Sequence, residues 1–294
     1  MALLDYIYLK IAAIFVRLLA RMARNITSNP DLISMIPSRD PKRVIRIHIY
    51  KPTQPTSEDQ PTPVLINFHG SRFMIAAHGS DDAFCRQDSS QSDYTVVDVS
   101  YRLAPENPFP AALEDAEDAI NWVRNEKKLF NTSQIALSGF SAGGNIVLSL
   151  ASTVYPPETF HCVIAFYPAV DWATDVRAKK APNPNGQPIP ACIMRLFSKA
   201  LFQSQVDFAS PYVSPLYATP ESFPDRLLVV TADGDSLAPE AEALVEKLQT
   251  RTNGRVIHFR ALGCNHAWDK MANTTTGMIM RRNAYALAVE MLNS

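Results

Sequence analysis

The chain has 294 residues, 47% of them apolar and 19% charged, with a formal net charge of −1. That balance excludes a disordered chain and offers no electrostatic footprint for nucleic acid or another polyanion. The length fits one large α/β domain, or such a domain with a modest cap. From Met1 to Arg24 the chain is rich in Leu, Ile, Ala and Phe, interrupted by Asp5, Lys10 and Arg17. No uncharged run reaches the ~18 residues of a spanning helix, and the positive charges follow the apolar residues, opposite to a secretory signal. At 3.6 residues per turn Leu4, Ile7, Ile11, Ile14, Leu18 and Met22 share a face, with Lys10, Arg17, Arg21 and Arg24 as a cationic stripe beside it. The expectation is a helix packed by that apolar face on its own domain. The alternative is an interfacial helix, with its apolar face in a membrane and its arginines on anionic lipid.

Further along, Val44 to Tyr50 alternates and predicts a half-exposed edge strand, followed by a polar, proline-containing loop over Lys51 to Pro63. Short apolar runs at Val64–Phe68, Thr95–Val99, Ile135–Ser138, Cys162–Tyr167, Leu227–Thr231 and Val256–Arg260 predict strands. Helical patterns at Ala111–Lys128, Ile146–Ser152 and Pro239–Thr250 fall between several of them, which predicts a mainly parallel sheet covered on both faces. The interval from Asp171 to Pro224 breaks this rhythm with a proline-rich stretch and a helical one, Ala191 to Gln203. It reads as an insertion that joins the N-terminal segment in a cap over the C-terminal edge of the sheet, where open α/β folds place ligands. The expected organisation is residues 1–40 as N-terminal helix and cap segment, 41–170 and 225–294 as core, and 171–224 as cap insertion.

One segment carries chemistry. Gly139-Phe-Ser-Ala-Gly-Gly144 places Ser141 between an apolar run and a helical pattern, the strand–turn–helix context of a nucleophile elbow. Neighbours without Cβ atoms let strand and helix approach closely around a strained serine. A serine nucleophile needs a base, and His266, on the loop after the last predicted strand, is best placed among six histidines. His48 and His258 lie within alternating strands and read as structural. The orienting acid is Asp233 or Asp235, both just after a buried strand. The four cysteines, Cys85, Cys162, Cys192 and Cys264, lack metal-type spacing and read as reduced thiols in the cytoplasm. His78, Asp81 and Asp82 form a local cluster that reads as acids at a helix N-terminus rather than as a metal site.

These segments resemble the hormone-sensitive-lipase branch of the α/β-hydrolases, a family of carboxylesterases and lipases. The nucleophile segment matches, Tyr101-Arg-Leu-Ala-Pro-Glu106 matches the family's YRLAPE motif, and Asp235-Ser-Leu237 aligns with its D-P-L. His266 aligns with the family histidine, although Ala267-Trp268 stands where Gly-Phe is common. The resemblance covers roughly residues 40–290 and implies the α/β-hydrolase fold, a mostly parallel sheet flanked by helices with a helical cap. It selects Asp235 as the acid. The family's HGGG loop reads His69-Gly70-Ser71-Arg72-Phe73, so the resemblance gives the backbone N–H groups of Ser71, Arg72 and Ala142 the oxyanion, with His69, Gly70 and Glu106 as loop support. Glu106 is expected to hold that loop through buried hydrogen bonds. Ser and Arg adopt the backbone angles of glycine only with strain. The Arg72 side chain either turns away into a salt bridge or enters the pocket to bind a carboxylate or carbonyl.

The implied function is a serine hydrolase that cleaves a carboxylic ester of a small or medium apolar substrate through an acyl-serine, with no metal or organic cofactor and no nucleic acid partner. Two alternatives keep the fold: a biosynthetic hydrolase, acyltransferase or cyclase acting on a secondary-metabolite intermediate, and a non-catalytic small-ligand binder. A cytoplasmic location is expected, with peripheral membrane contact through residues 1–24 as the variant reading.

Overall fold

The computed structural model describes residues 3–23, 26–53, 60–271 and 273–294. Arg24 and the central part of the expected loop, residues 54–59, lie outside the described residues. Eight strands form one sheet: β1 (Leu32–Pro37), β2 (Val44–Tyr50), β3 (Thr62–Phe68), β4 (Thr95–Val99), β5 (Phe130–Phe140), β6 (Cys162–Phe166), β7 (Arg226–Ala232) and β8 (Arg255–Ala261). Their spatial order is β1-β2-β4-β3-β5-β6-β7-β8. The β1–β2 and β2–β4 pairs are antiparallel and the remaining pairs parallel. β2 occupies the segment predicted for it but is not the edge. β1 takes that place, and β2 is interior with its last four residues buried.

The interior strands β4 and β6 are buried along their whole length; β6 is a continuous apolar run, whereas β4 also buries Thr95 and Asp98. Two cores follow. On one face α3 (Ala111–Asn125), α4 (Ala142–Thr153) and α6 (Ala238–Leu248) pack against Val64, Ile66, Leu137 and Val229. On the other, α2 (Asp82–Gln91) and α7 (Thr275–Leu292) pack against Leu65, Ala136, Ile164 and Leu228. Alternation along each strand divides neighbouring residues between these cores. The four cysteines are free thiols.

Two helices stand over the C-terminal ends of the strands: α1 (Leu3–Ala23) and α5 (Ala191–Leu201). α1 corrects the sequence reading. Its inward residues are Leu9 and Ala13, both fully buried, and the half-buried Val16. The stripe expected to pack is turned outward, with Leu4 80%, Ile11 63% and Met22 78% exposed. The cause is ionic. Lys10 and Arg17 lie on the packed side and meet Glu106 at 2.9 and 2.7 Å, and Arg17 also donates to the carbonyls of Met74 and Ala104. Glu106 is therefore an exposed anchor for α1, not a buried support under the oxyanion loop, and it reaches that loop's neighbourhood through Arg17. Among the described residues no helix is long and apolar enough to cross a membrane.

Candidate active site

Ser141 sits between β5 and α4 with φ 53° and ψ −108°, outside the regions that side chains favour. Its N–H donates to the Phe166 carbonyl at 2.8 Å, and its own carbonyl accepts from Asn145. The glycines nearby are required by packing. A Cβ on Gly143 would lie 1.8 Å from the Phe68 carbonyl oxygen, and one on Gly139 would lie 2.2 Å from the Gly143 carbonyl oxygen. The elbow thus presses directly on the end of β3, where the loop Gly70–Phe73 begins.

The structure brings Ser141, His266 and Asp235 together from three loops. His266 Nε2 is 3.0 Å from Ser141 Oγ, and His266 Nδ1 is 2.6 Å from Asp235 Oδ2. Asp235 is fully buried and also accepts the Leu237 N–H. Asp233, the alternative acid, instead accepts from Asn183 and from the Cys264 N–H. Tyr167 packs edge-on against the His266 ring, centroids 4.9 Å apart.

The loop bearing His266 is held by a buried ionic network that the sequence reading missed. Asp269 accepts from Tyr167 OH at 2.7 Å and from Tyr285 OH at 2.8 Å. Lys270 Nζ lies 2.9 Å from Asp269, 2.8 Å from Asp81 and 3.5 Å from the centroid of the Phe140 ring. Burial disfavours the charge of Lys270, but Asp269 and Asp81 outweigh it and raise its pKa; the same pairing lowers Asp269 against its own burial. No local pattern announces this set, because its members come from four separate segments.

The Gly70–Phe73 loop keeps a tight turn without the expected glycines. Ser71 is not in the left-handed region; Arg72 and Phe73 are, at φ 52° and 58°. Such residues cost roughly 1–2 kcal/mol each. Ser71 offsets part of this cost, since its buried Oγ accepts the Phe73 N–H at 2.8 Å and contacts Tyr101 OH at 2.7 Å. Tyr101 OH donates to the His69 carbonyl at 2.6 Å, and its ring stacks on His69 at 4.5 Å. Tyr101, the first residue of the YRLAPE segment, is thus the buried support that Glu106 is not. Burial pushes His69 down to about 4, so its ring is neutral at pH 7. Ala142 opens α4, where the first N–H groups have no intrahelical acceptor.

A cavity of about 440 Å³ opens above Ser141 and His266, lined by Gly70, Ser71, Arg72 and Tyr167 below and by Val16, Leu19 and Ala20 of α1 with Ile193 and Phe197 of α5 above. A smaller recess of about 70 Å³ adjoins it at Ala142, Trp172 and Phe197. Arg72 borders both, with its guanidinium carbon 5.3 Å from the centroid of Phe197.

The presumed cluster of His78, Asp81 and Asp82 is dispersed. Asp81 serves Lys270 and Asn67, and Asp82 accepts from Tyr50 OH and the Asn29 N–H. Nor does Asp81 cap α2 with its side chain. The metal-type group found among the described residues is His48, His78 and Asp98, whose ligand atoms lie within 4.8 Å of one another. Burial pushes His78 down to about 3 and raises Asp98 well above the usual carboxylate range. His258 lies beside Thr231 and Glu242, away from the cavity.

Comparison with known proteins gives the family and the fold. Residues 65–270 match the family model described as alpha/beta hydrolase fold. An AB hydrolase superfamily protein of Schizosaccharomyces pombe is 30% identical over 72% of this chain, which spans 63% of that protein's own length. An arylesterase of Saccharolobus solfataricus is 30% identical over 76% of this chain and 72% of its own. Among solved structures, an esterase of Pyrobaculum calidifontis superposes with a TM-score of 0.77 at 28% identity, covering 98% of this chain and 92% of that one.

Proposed function

This chain belongs to the hormone-sensitive-lipase-like branch of the alpha/beta hydrolases, and on that premise we propose that it is a serine esterase acting on small or medium apolar carboxylic esters. The observation that carries the reading is the aligned set at the cavity floor: Ser141 Oγ 3.0 Å from His266 Nε2, with Asp235 2.6 Å behind the same ring. In this proposal the His266 Nδ1–H donates to Asp235, which leaves Nε2 to take the serine proton as Oγ attacks the ester carbonyl. The backbone N–H groups of Ser71, Arg72 and Ala142 receive the oxyanion. Collapse returns the proton through Nε2 to the leaving alcohol and leaves an acyl-serine. Water, deprotonated by the same nitrogen, then attacks the acyl carbon; the second collapse releases the acid and restores Ser141. Each step balances without a metal or an organic cofactor.

The cavity supports the substrate class. A volume of about 440 Å³ with apolar helices on one side suits an ester of modest size. α1 and the 171–224 segment act in this reading as the cap that selects it. The arylesterase and esterase among the relatives point to the same bond. The test is hydrolysis of a p-nitrophenyl ester series beside Ser141→Ala. The parent is expected to turn over the shorter esters and to react with a fluorophosphonate probe, and the variant to do neither. Full-strength labelling of Ser141→Ala would remove Ser141 as the nucleophile.

A further inference from the structure

Among the described residues the outward face of α1 has no partner, and its chemistry and position identify one. Ile7, Ile11, Ile14, Phe15, Leu18 and Met22 are each between 44 and 78% exposed. With Tyr8 and Leu19 they cover an arc of about 140° at 100° per residue, over a helix about 30 Å long. Scattered exposed apolar side chains are ordinary, but a contiguous stripe of this size marks a contact surface. No charge falls inside the arc. Lys10 and Arg17 are turned inward onto Glu106, while Asp5 and Arg21 flank the stripe near the two ends of the helix.

The stripe also leads into the cavity. Leu19 is exposed on the outer face and lines the cavity, together with Ala20 and with Met271 on the opposite rim, which is 57% exposed. A second copy of the chain seated on this face would cover the mouth at Leu19 and Met271. A lipid surface would instead cover the apolar rim and remain a fluid reservoir from which apolar esters diffuse. α1 is too charged to span a bilayer, so it lies along one.

We infer that α1 docks the protein on a lipid surface through this face and sets the mouth of the cavity against the lipid, so that the substrate is an ester dissolved in that layer. The substrate clause rests on the esterase reading; the docking clause does not. The test uses the full chain and its Ile11→Glu/Phe15→Glu variant, whose substituted side chains point away from the cavity lining. Flotation with vesicles of phosphatidylcholine, with and without one-fifth phosphatidylserine, reads docking. Hydrolysis of p-nitrophenyl acetate in water, and of a long-chain p-nitrophenyl ester held in the same vesicles, reads delivery.

The parent is expected to float with vesicles and the variant to float at least tenfold less. Turnover of the acetate should stay within twofold, while turnover of the vesicle-held ester falls about tenfold. Docking is overturned if the parent stays with the aqueous fractions, or if the variant floats equally well. It is also overturned if sedimentation shows a parent dimer that the variant splits and neither form binds vesicles. Equal loss of both ester activities in the variant, with flotation lost, overturns the delivery clause. A parent that floats but cleaves neither ester refutes the esterase reading and the substrate clause, and leaves docking upheld.

Discussion

Ser141 and His266 face the cavity, with Asp235 buried behind the ring, from loops fixed in the sheet, whereas α1, which walls the same cavity, is fastened to the domain from one side. The first region has its glycines in backbone contact, its acid fully buried, and its histidine loop tied by Asp269 and Lys270. The second rests on Leu9, Ala13 and Val16 and on two cations sharing one exposed carboxylate. In the proposed function the difference separates two tasks. Chemistry requires atoms held to fractions of an ångström, while selection and delivery of substrate tolerate a helix that can shift. Changes in the sheet-held region should therefore strike turnover, and changes at α1 should strike access.

The most severe way to sharpen this contrast, short of removing the nucleophile, is Asp235→Asn. It keeps the shape beside His266 but withdraws the acceptor that fixes the ring's tautomer, and kcat is expected to fall about ten-thousandfold with little change in KM. A KM effect of that size with kcat unchanged would place Asp235 outside the chemistry. Tyr285→Phe should be intermediate. It removes one hydrogen bond from the buried Asp269 carboxylate, and urea titration is expected to show a loss of about 1.5–3 kcal/mol. Turnover should fall with it, because the loop carrying His266 loosens; unaltered stability would mean that Asp269 is adequately held by Tyr167 and Lys270 alone.

The smallest effect belongs to Glu106→Gln. Hydrogen bonds from Arg17 hold the Glu106 carboxyl down at about 2, against the usual 4.5 of a glutamate. A depressed acid contributes its stability above its unfolded pKa and loses it as pH falls through the folded one. The contribution is thus full above about pH 4.5 and gone by about pH 2. For so exposed a group, solvent screening leaves about 0.5 kcal/mol. Parent and variant should differ by that amount at pH 7 and converge at low pH, with kcat on p-nitrophenyl acetate unchanged throughout. A difference that persists undiminished to pH 2 would show that α1 is not held through the Glu106 charge.

The same division explains what the sequence disclosed. The interior strands were legible because burial on both faces demands apolar-rich runs, and β4, despite its buried Asp98, falls on the predicted residues, Thr95–Val99. Ser141, His266 and Asp235 were legible because each follows a strand end in a motif of its own. β1 was not: its apolar residues are interrupted by Ser34 and end in Pro37, and only Ile36 is buried, so neither a run nor an alternation marks it as a strand. The inverted packing of α1 was illegible for another reason. Periodicity defines the faces of a helix, but which face turns inward was decided by Glu106, some ninety residues away. The Tyr101 support and the Lys270 network share that difficulty, since they exist only once distant segments meet.

Asp269 accepts one hydroxyl from Tyr167, in the middle of the chain, and another from Tyr285, in the last helix. The order of synthesis gives that arrangement a consequence. During translation the strands that carry Ser141 and Asp235 emerge first, yet the loop bearing His266 is not fully tied down until α7 has left the ribosome and closed over it. A nascent chain that has already built most of its sheet still lacks an ordered His266 loop, so in the proposed function hydrolysis waits for α7.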